Sequence, residues 1–194
     1  MNLITSAFND PVFKKMVQGK LPKLFKEAQT EAETYSNTMA VGLHRKKKII
    51  GLLIKFLGST KVDDVFSTKM SELDVRIDNH EISIKTISNN NALKITWTTE
   101  SKKVALLMKE YIPRYDIILA KINWDMKDIY QPSGLFFIPK DTQKNILYKL
   151  GRNNYIKPPK EGTNAKGIQL TKQAFKELLA DNDTLHIDVD WKNY

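Results

Sequence analysis

The chain is predicted to form a single α/β domain with a mixed central β-sheet flanked by helices. Three observations predict it. Residues 39–57 carry a helical stripe of Ile49, Leu53 and Phe56 with Ile50, Ile54 and Leu57 beside it. Three stretches between residues 73 and 98 alternate apolar and polar residues with the period of two that marks strands covered on one face. Residues 115–122, YDIILAKI, are almost continuously apolar, as a strand buried on both faces requires. At 194 residues there is material for one full-sized domain spanning 1–194. Within it the expected parts are a helical N-terminal portion over 1–60, a core over 72–125 and a loop region over 150–170.

The elements follow in order. Leu21 to about Tyr35, rich in Lys, Glu and Ala, is expected to be a helix, and Met39 to Leu57 a second one stopped by Gly58. Leu73-Val75-Ile77, Ile82-Ile84 and Leu93-Ile95-Trp97 are then expected to form an antiparallel meander, with short turns at Asp78-Asn79 or Asn79-His80 and at residues 88–91. Val104, Leu107, Met108 and Tyr111 make one stripe of a helix over 100–111, which Pro113 ends. After the apolar strand come a strand over 134–138, a helix capped by Asp141 and ending at Gly151, a loop over 153–167, a helix capped by Thr171, and an alternating strand through Leu185, Ile187, Val189 and Trp191.

Composition narrows the function classes. The sequence has 31 Lys and Arg against 22 Asp and Glu, a net charge of +9. That excess favours a polyanionic partner, most often nucleic acid. There is no cysteine, which removes disulfides, thiolate metal sites and cysteine nucleophiles. With only three histidines, any metal is expected to be held by oxygens, which suits Mg²⁺ or Mn²⁺. No apolar run approaches the ~20 residues of a membrane span, and no signal-peptide pattern opens the chain, so no membrane association and a cytosolic location are expected.

Residues 72–86, ELDVRIDNHEISIKT, read as a hairpin with one apolar and one charged face. With the turn at Asp78-Asn79, Ile77 opposes His80 and Asp74 opposes Ser83; with the turn one residue later, Asp74 opposes Lys85. Both registers leave Asp74, Ser83 and Lys85 on one face, because strand side chains alternate with period two. Aligning the third strand by its apolar side adds Thr98 to that face, and Glu100 if the strand continues. Cutting a phosphodiester needs a cation, carboxylates to hold it and a group to position water. Asp74 and Glu100 fit as metal ligands and Lys85 as the water-positioning residue. The same pattern also fits an exposed sheet face laced with cross-strand ion pairs.

This arrangement resembles the PD-(D/E)xK nuclease superfamily, to which most type II restriction endonucleases belong. Asp74 matches the first acid of the motif and Lys85 its lysine, although Leu73 stands where a proline is frequent. Ser83 occupies the place of the second acid, as in an S-x-K variant whose Glu comes from a later helix. Glu100, fifteen residues after Lys85, resembles that displaced acid; Glu81 and Glu72 are the other acids on the same face. The stretch KITWTTE, the strand YDIILAKINW and the loop GTNAKGI are similar to restriction endonucleases of the ThaI type. The resemblance covers residues 72–191 and implies a restriction-endonuclease-like fold. It also implies metal coordination by Asp74, Glu100 and the Ile84 carbonyl, catalysis by Asp74, Ser83, Lys85 and Glu100, and Mg²⁺ as cofactor with Mn²⁺ able to substitute.

The GTNAKGI loop has a physical reading of its own. Its two glycines allow close backbone approach, and Asn164 and Lys166 offer donors suited to base edges or phosphate. With Arg152 and Lys160 nearby, this region is expected to contact DNA. Trp97 and Trp191 are expected in the core, Trp124 at its rim, and His44 and His80 on the surface. The basic run His44-Arg45-Lys46-Lys47-Lys48 is expected to be a solvated helical face more than a phosphate contact. The expected function is therefore Mg²⁺-dependent cleavage of double-stranded DNA at a short palindrome by a homodimer in a prokaryotic cytoplasm. A repair or recombination nuclease of the same superfamily and a non-catalytic nucleic-acid-binding protein are the alternatives.

Overall fold

The computed structural model describes residues 2–34, 40–65, 72–88, 92–98, 100–124, 132–158 and 167–192, without the side chains of Trp97 and Ser101. Helices α1 (Leu3–Asn9), α2 (Pro11–Thr34) and α3 (Ala40–Leu57) come first. The second helix begins ten residues earlier than its composition suggested. Phe13, Val17, Leu21, Phe25, Ala28 and Ala32 form one buried stripe that runs on through Pro22. Side-chain burial thus overrides the local cost of an internal proline. Asn2 caps α1 by accepting from the Ile4 amide, and Asp10 accepts from the amides of Val12 and Phe13 at the start of α2. Gly58, at φ +92°, ends α3 as expected and donates to the Ile54 carbonyl.

The strands are β1 (Val62–Asp63), β2 (Val75–Ile77), β3 (His80–Ser88), β4 (Lys94–Trp97), β5 (Asp116–Ile122), β6 (Gly134–Ile138), β7 (Ile156–Lys157), β8 (Gly167–Leu170) and β9 (Leu185–Asp188). The main sheet has six strands in the order β1-β2-β3-β5-β6-β9, all neighbours antiparallel except the parallel β3–β5 pair. The β2–β3 register pairs Ile77 with His80, so the turn is Asp78-Asn79, with Asp78 in the left-handed region at φ +49°.

The expected meander does not form. The strand β4 leaves the hairpin and joins β8 and β7 in a separate three-stranded sheet. Its four residues cannot compete for the edge of β3 with β5, which contributes seven paired residues and an almost wholly buried apolar run. Burying such a strand on both faces is worth more, at roughly 25 cal/mol per Å² of apolar surface, than covering a half-polar one.

One core, on the α2–α3 side, gathers Phe8, Phe13, Phe25, Ile49, Leu53, Val75, Ile84, Ile118 and Trp191. The other gathers Ile95, Leu119, Phe136, Ile146, Tyr155, Ile168 and Leu178 beneath the helices α4 (Ser101–Glu110), α5 (Lys140–Leu150), α6 (Arg152–Tyr155) and α7 (Lys172–Ala180). Asp141 lies in the first turn of α5 and does not cap it; the Lys140 amide instead donates to Asp116 Oδ1 at 2.7 Å. Thr171 caps α7 as expected, its hydroxyl accepting from the Ala174 amide. The segment expected as loop over 153–167 contains most of α6 and all of β7. Trp191 is core, and Trp124 packs edge-on against it at 5.5 Å between ring centroids. Trp97's side chain lies outside the described residues. Among the described residues no helix is long and apolar enough to cross a membrane.

Candidate active site

Asp74 precedes β2 and is almost fully enclosed, at 2% exposure. Its position is set by backbone: its amide donates to the Ile82 carbonyl at 3.0 Å, continuing the β2–β3 ladder. Its Oδ2 accepts from the Ile84 amide at 2.6 Å and, at the long distance of 3.5 Å, from the Ser83 hydroxyl. Its Oδ1 accepts from Lys46 Nζ at 2.7 Å. The amide and carbonyl of one strand residue point to the same edge, so the Ile84 carbonyl also opens on the Asp74 side of β3.

Lys85 lies two residues along β3 from Ser83, its ammonium donating to the Ile95 carbonyl at 3.3 Å. Burial pulls its pKa from 10.5 down to about 8. Lys46 pushes in the same direction, and the charges of Glu72 and Asp74 oppose it. Lys46, Glu72, Asp74 and Lys85 therefore form one electrostatic group. Glu72 is half-buried and also helps raise the Tyr111 pKa, behind the larger effects of burial and Tyr155.

The other acids lie elsewhere. Glu100 sits at the N-terminus of α4 with its side chain 59% exposed and bonded to Lys103 at 2.7 Å. The strand before it, β4, belongs to the second sheet, although its Ile95 carbonyl accepts from Lys85. Glu81 is exposed and paired with Arg76 at 3.1 Å. The structure brings together Asp74, Ser83, Ile84 and Lys85 from the predicted set, while the side-chain partner shown for Glu100 is Lys103.

Arg152 is half-buried and donates to the Tyr111 carbonyl at 3.5 Å, behind α4. Asn164, Lys166 and Lys160 lie outside the described residues. Sequence reasoning missed Lys46. The basic run was read as a solvated face, yet only Lys47 is exposed: His44 and Lys48 pair with Glu31 of α2, Lys46 reaches Asp74, and Arg45 is buried. The available signal was register: in α3, position 46 falls four residues before Ile50, on the flank of the apolar stripe. His80, exposed, lies 3.6 Å from Asp116.

Among the described residues no three acidic or histidine side chains gather as a metal cluster. Mg²⁺ does not need three, since it takes one or two carboxylates and completes its shell with waters and phosphate. Asp74 already holds one cation, the Lys46 ammonium, so the place favours positive charge, and its donors are hard oxygens. The donor set fits Mg²⁺ or Mn²⁺.

A mixed sheet with one parallel pair thus carries a buried Asp beside an S-x-K strand whose lysine has a lowered pKa. The comparisons agree: the family profile described as "Restriction endonuclease ThaI" matches residues 7–194, and the chain belongs to that family. The protein is a restriction endonuclease, a DNA-cleaving hydrolase. Its structure is similar to a solved "Restriction endonuclease in complex with substrate DNA", with a TM-score of 0.89 and 32% identity over 100% of this chain and 92% of that one. None of the curated proteins matches the chain.

Proposed function

We propose that this restriction endonuclease is of type II, hydrolysing phosphodiester bonds of double-stranded DNA with Mg²⁺ at a short palindromic sequence. The observation that carries the mechanism is the pairing of a buried Asp74 with a lysine, Lys85, whose pKa has been lowered to about 8. Asp74 and the Ile84 carbonyl would hold the metal. Glu72 is the acid best placed to join them, since its charge acts on Lys85 while Glu100 is turned to Lys103. When bound, Mg²⁺ supplies charge neutralisation at the phosphate and a more acidic water.

The chain's own residues do the rest. Lys85, close to half neutral near pH 8, orients the attacking water and can accept its proton. Its protonated form stabilises charge developing on the phosphate oxygens. Ser83 and the Ile84 amide hold the Asp74 carboxylate in one orientation. A palindromic site read by one chain per strand implies a two-fold homodimer.

Digestion of a sequenced plasmid with Mg²⁺, against an EDTA control, tests this reading. Discrete fragments ending at one repeated palindrome support it. Cleavage only at junctions or flaps would favour a repair nuclease, and salt-sensitive binding with no Mg²⁺-dependent cutting would remove the catalytic assignment. A methyltransferase coding sequence beside this one would add support, since the host DNA needs protection.

A further inference from the structure

In the basic run of α3, the residue most withdrawn from water has no acid partner among the described residues. His44, Lys46 and Lys48 each meet a carboxylate. Arg45, at 7% exposure, has none among the described residues. Its Nη1 donates to Ser88 Oγ at 3.1 Å and its Nη2 to Gln29 Oε1 at 3.2 Å, both neutral acceptors. The guanidinium lies 5.6 Å from the Phe25 ring centroid, and its buried Nε has no hydrogen-bond partner. Burial alone pulls its pKa down. Withdrawing an uncompensated guanidinium from water is costly, and neutral acceptors with a ring face offset only part of that.

Arg45 lines a cleft of about 390 Å³ together with Lys26, Gln29, Ser88 and Trp124. The described lining therefore holds two cations, an amide, a hydroxyl and an indole, and no acid. Arginine has five N–H donors, and the two neutral acceptors leave Nε–H and one hydrogen on each Nη unclaimed. With Nε enclosed, the remaining hydrogens on the two Nη atoms are the end-on pair that can grip two oxygens of a phosphate. Ser88 ends β3 three residues beyond Lys85, about 10 Å along the strand. Ser88 faces α3 while Lys85 reaches β4 from the opposite face of the strand, so the cleft lies round the end of β3 from Lys85.

We infer that the Arg45 cleft is a binding site for one backbone phosphate of the bound DNA, flanking the phosphate that is cut. Arg45 grips the phosphate oxygens, Lys26 adds charge at the rim, and Trp124 offers its ring to the adjoining sugar. Only the word "flanking" rests on the catalytic reading of Asp74 and Lys85; the anion site stands without it.

Ethylation interference on a cleavable fragment, in Ca²⁺ so that binding is read without cutting, tests the site. Wild type should lose binding when a phosphate within about two nucleotides of the cut is ethylated. In Arg45→Met that position should become indifferent, affinity should fall roughly 10-fold, and the slope of log K against log salt should shrink by about 1. Lys26 is exposed, so Lys26→Gln keeps the fold and should weaken interference at the same phosphate. Identical interference patterns in wild type and both variants would overturn the proposal. So would a melting temperature raised by inorganic phosphate in wild type but not in Arg45→Met, with no DNA phosphate affected, because the cleft would then serve a free anion.

Discussion

Lys46 Nζ lies 2.7 Å from Asp74 Oδ1, so the buried carboxylate heading the catalytic hairpin is already held by a cation from another element. The bond ties α3 to the start of β2. A metal ion bound at Asp74 would compete with the ammonium for the carboxylate.

Lys46→Met should therefore bind Mn²⁺ more tightly in the absence of DNA, by roughly 10-fold, the scale of a part-buried ion pair. Without metal the variant should be less stable, by about 2 kcal/mol, because Asp74 loses a partner. Mn²⁺ electron paramagnetic resonance and urea denaturation read the two effects. Unchanged Mn²⁺ affinity would show that the ion pair does not guard the site.

The acid that completes the site can be read from two variants. Glu72→Gln should lower cleavage by about 10²-fold or more, as should Asp74→Asn, with DNA binding retained in both. Glu100→Gln, altering an exposed residue bonded to Lys103, should stay within about 3-fold of wild type. The reverse ranking would restore Glu100 as the second carboxylate.

Lys85 should leave a mark on stability as well as on activity. Its folded-state pKa is about 8 and its ordinary value 10.5. Between those values the unfolded chain holds a proton that the folded chain has released, so this group's contribution to stability rises with pH across that window. Below about pH 8 the cost of burying the charge is fully present. Lys85→Met should therefore gain on wild type most at pH 7 and lose that advantage near pH 10.5. Denaturation in EDTA at several pH values checks this; a difference constant with pH contradicts it. Cleavage should be lost in the same variant.

Gly134 begins β6 at φ +138°, and a Cβ built there would lie 2.2 Å from the Ile187 carbonyl oxygen. Gly134→Ala must open the β6–β9 pairing, at a cost of about 3 kcal/mol or more. A fall of several degrees in melting temperature is expected, with DNA affinity unaltered because the β2–β3 hairpin is separated from β6 by β5.

Local chemistry made much of this protein legible. Period-two alternation placed Asp74, Ser83 and Lys85 on one face whichever turn was chosen, and the structure adopts the Asp78-Asn79 register. Gly58, Gly151 and Thr171 ended or began helices where their backbone and side-chain preferences required. The apolar run at 115–122 announced a buried strand, and β5 is one.

What the sequence by itself determined were the properties that each segment carries alone: where helices and strands lie, which face is apolar, and which residues the hairpin groups together. Only the tertiary structure decided which strand lies beside β3. That choice is a competition for one edge, won by the strand with more apolar surface to bury, and it put β4 in a second sheet. The tertiary structure also decided the fates of Lys46 and Arg45. In the sequence they are adjacent members of one basic run; in the fold one reaches a buried carboxylate and the other a cleft whose described lining holds no acid. A helix turns by about 100° per residue, so neighbours in sequence point to different partners. Which partners those are depends on the elements packed around them.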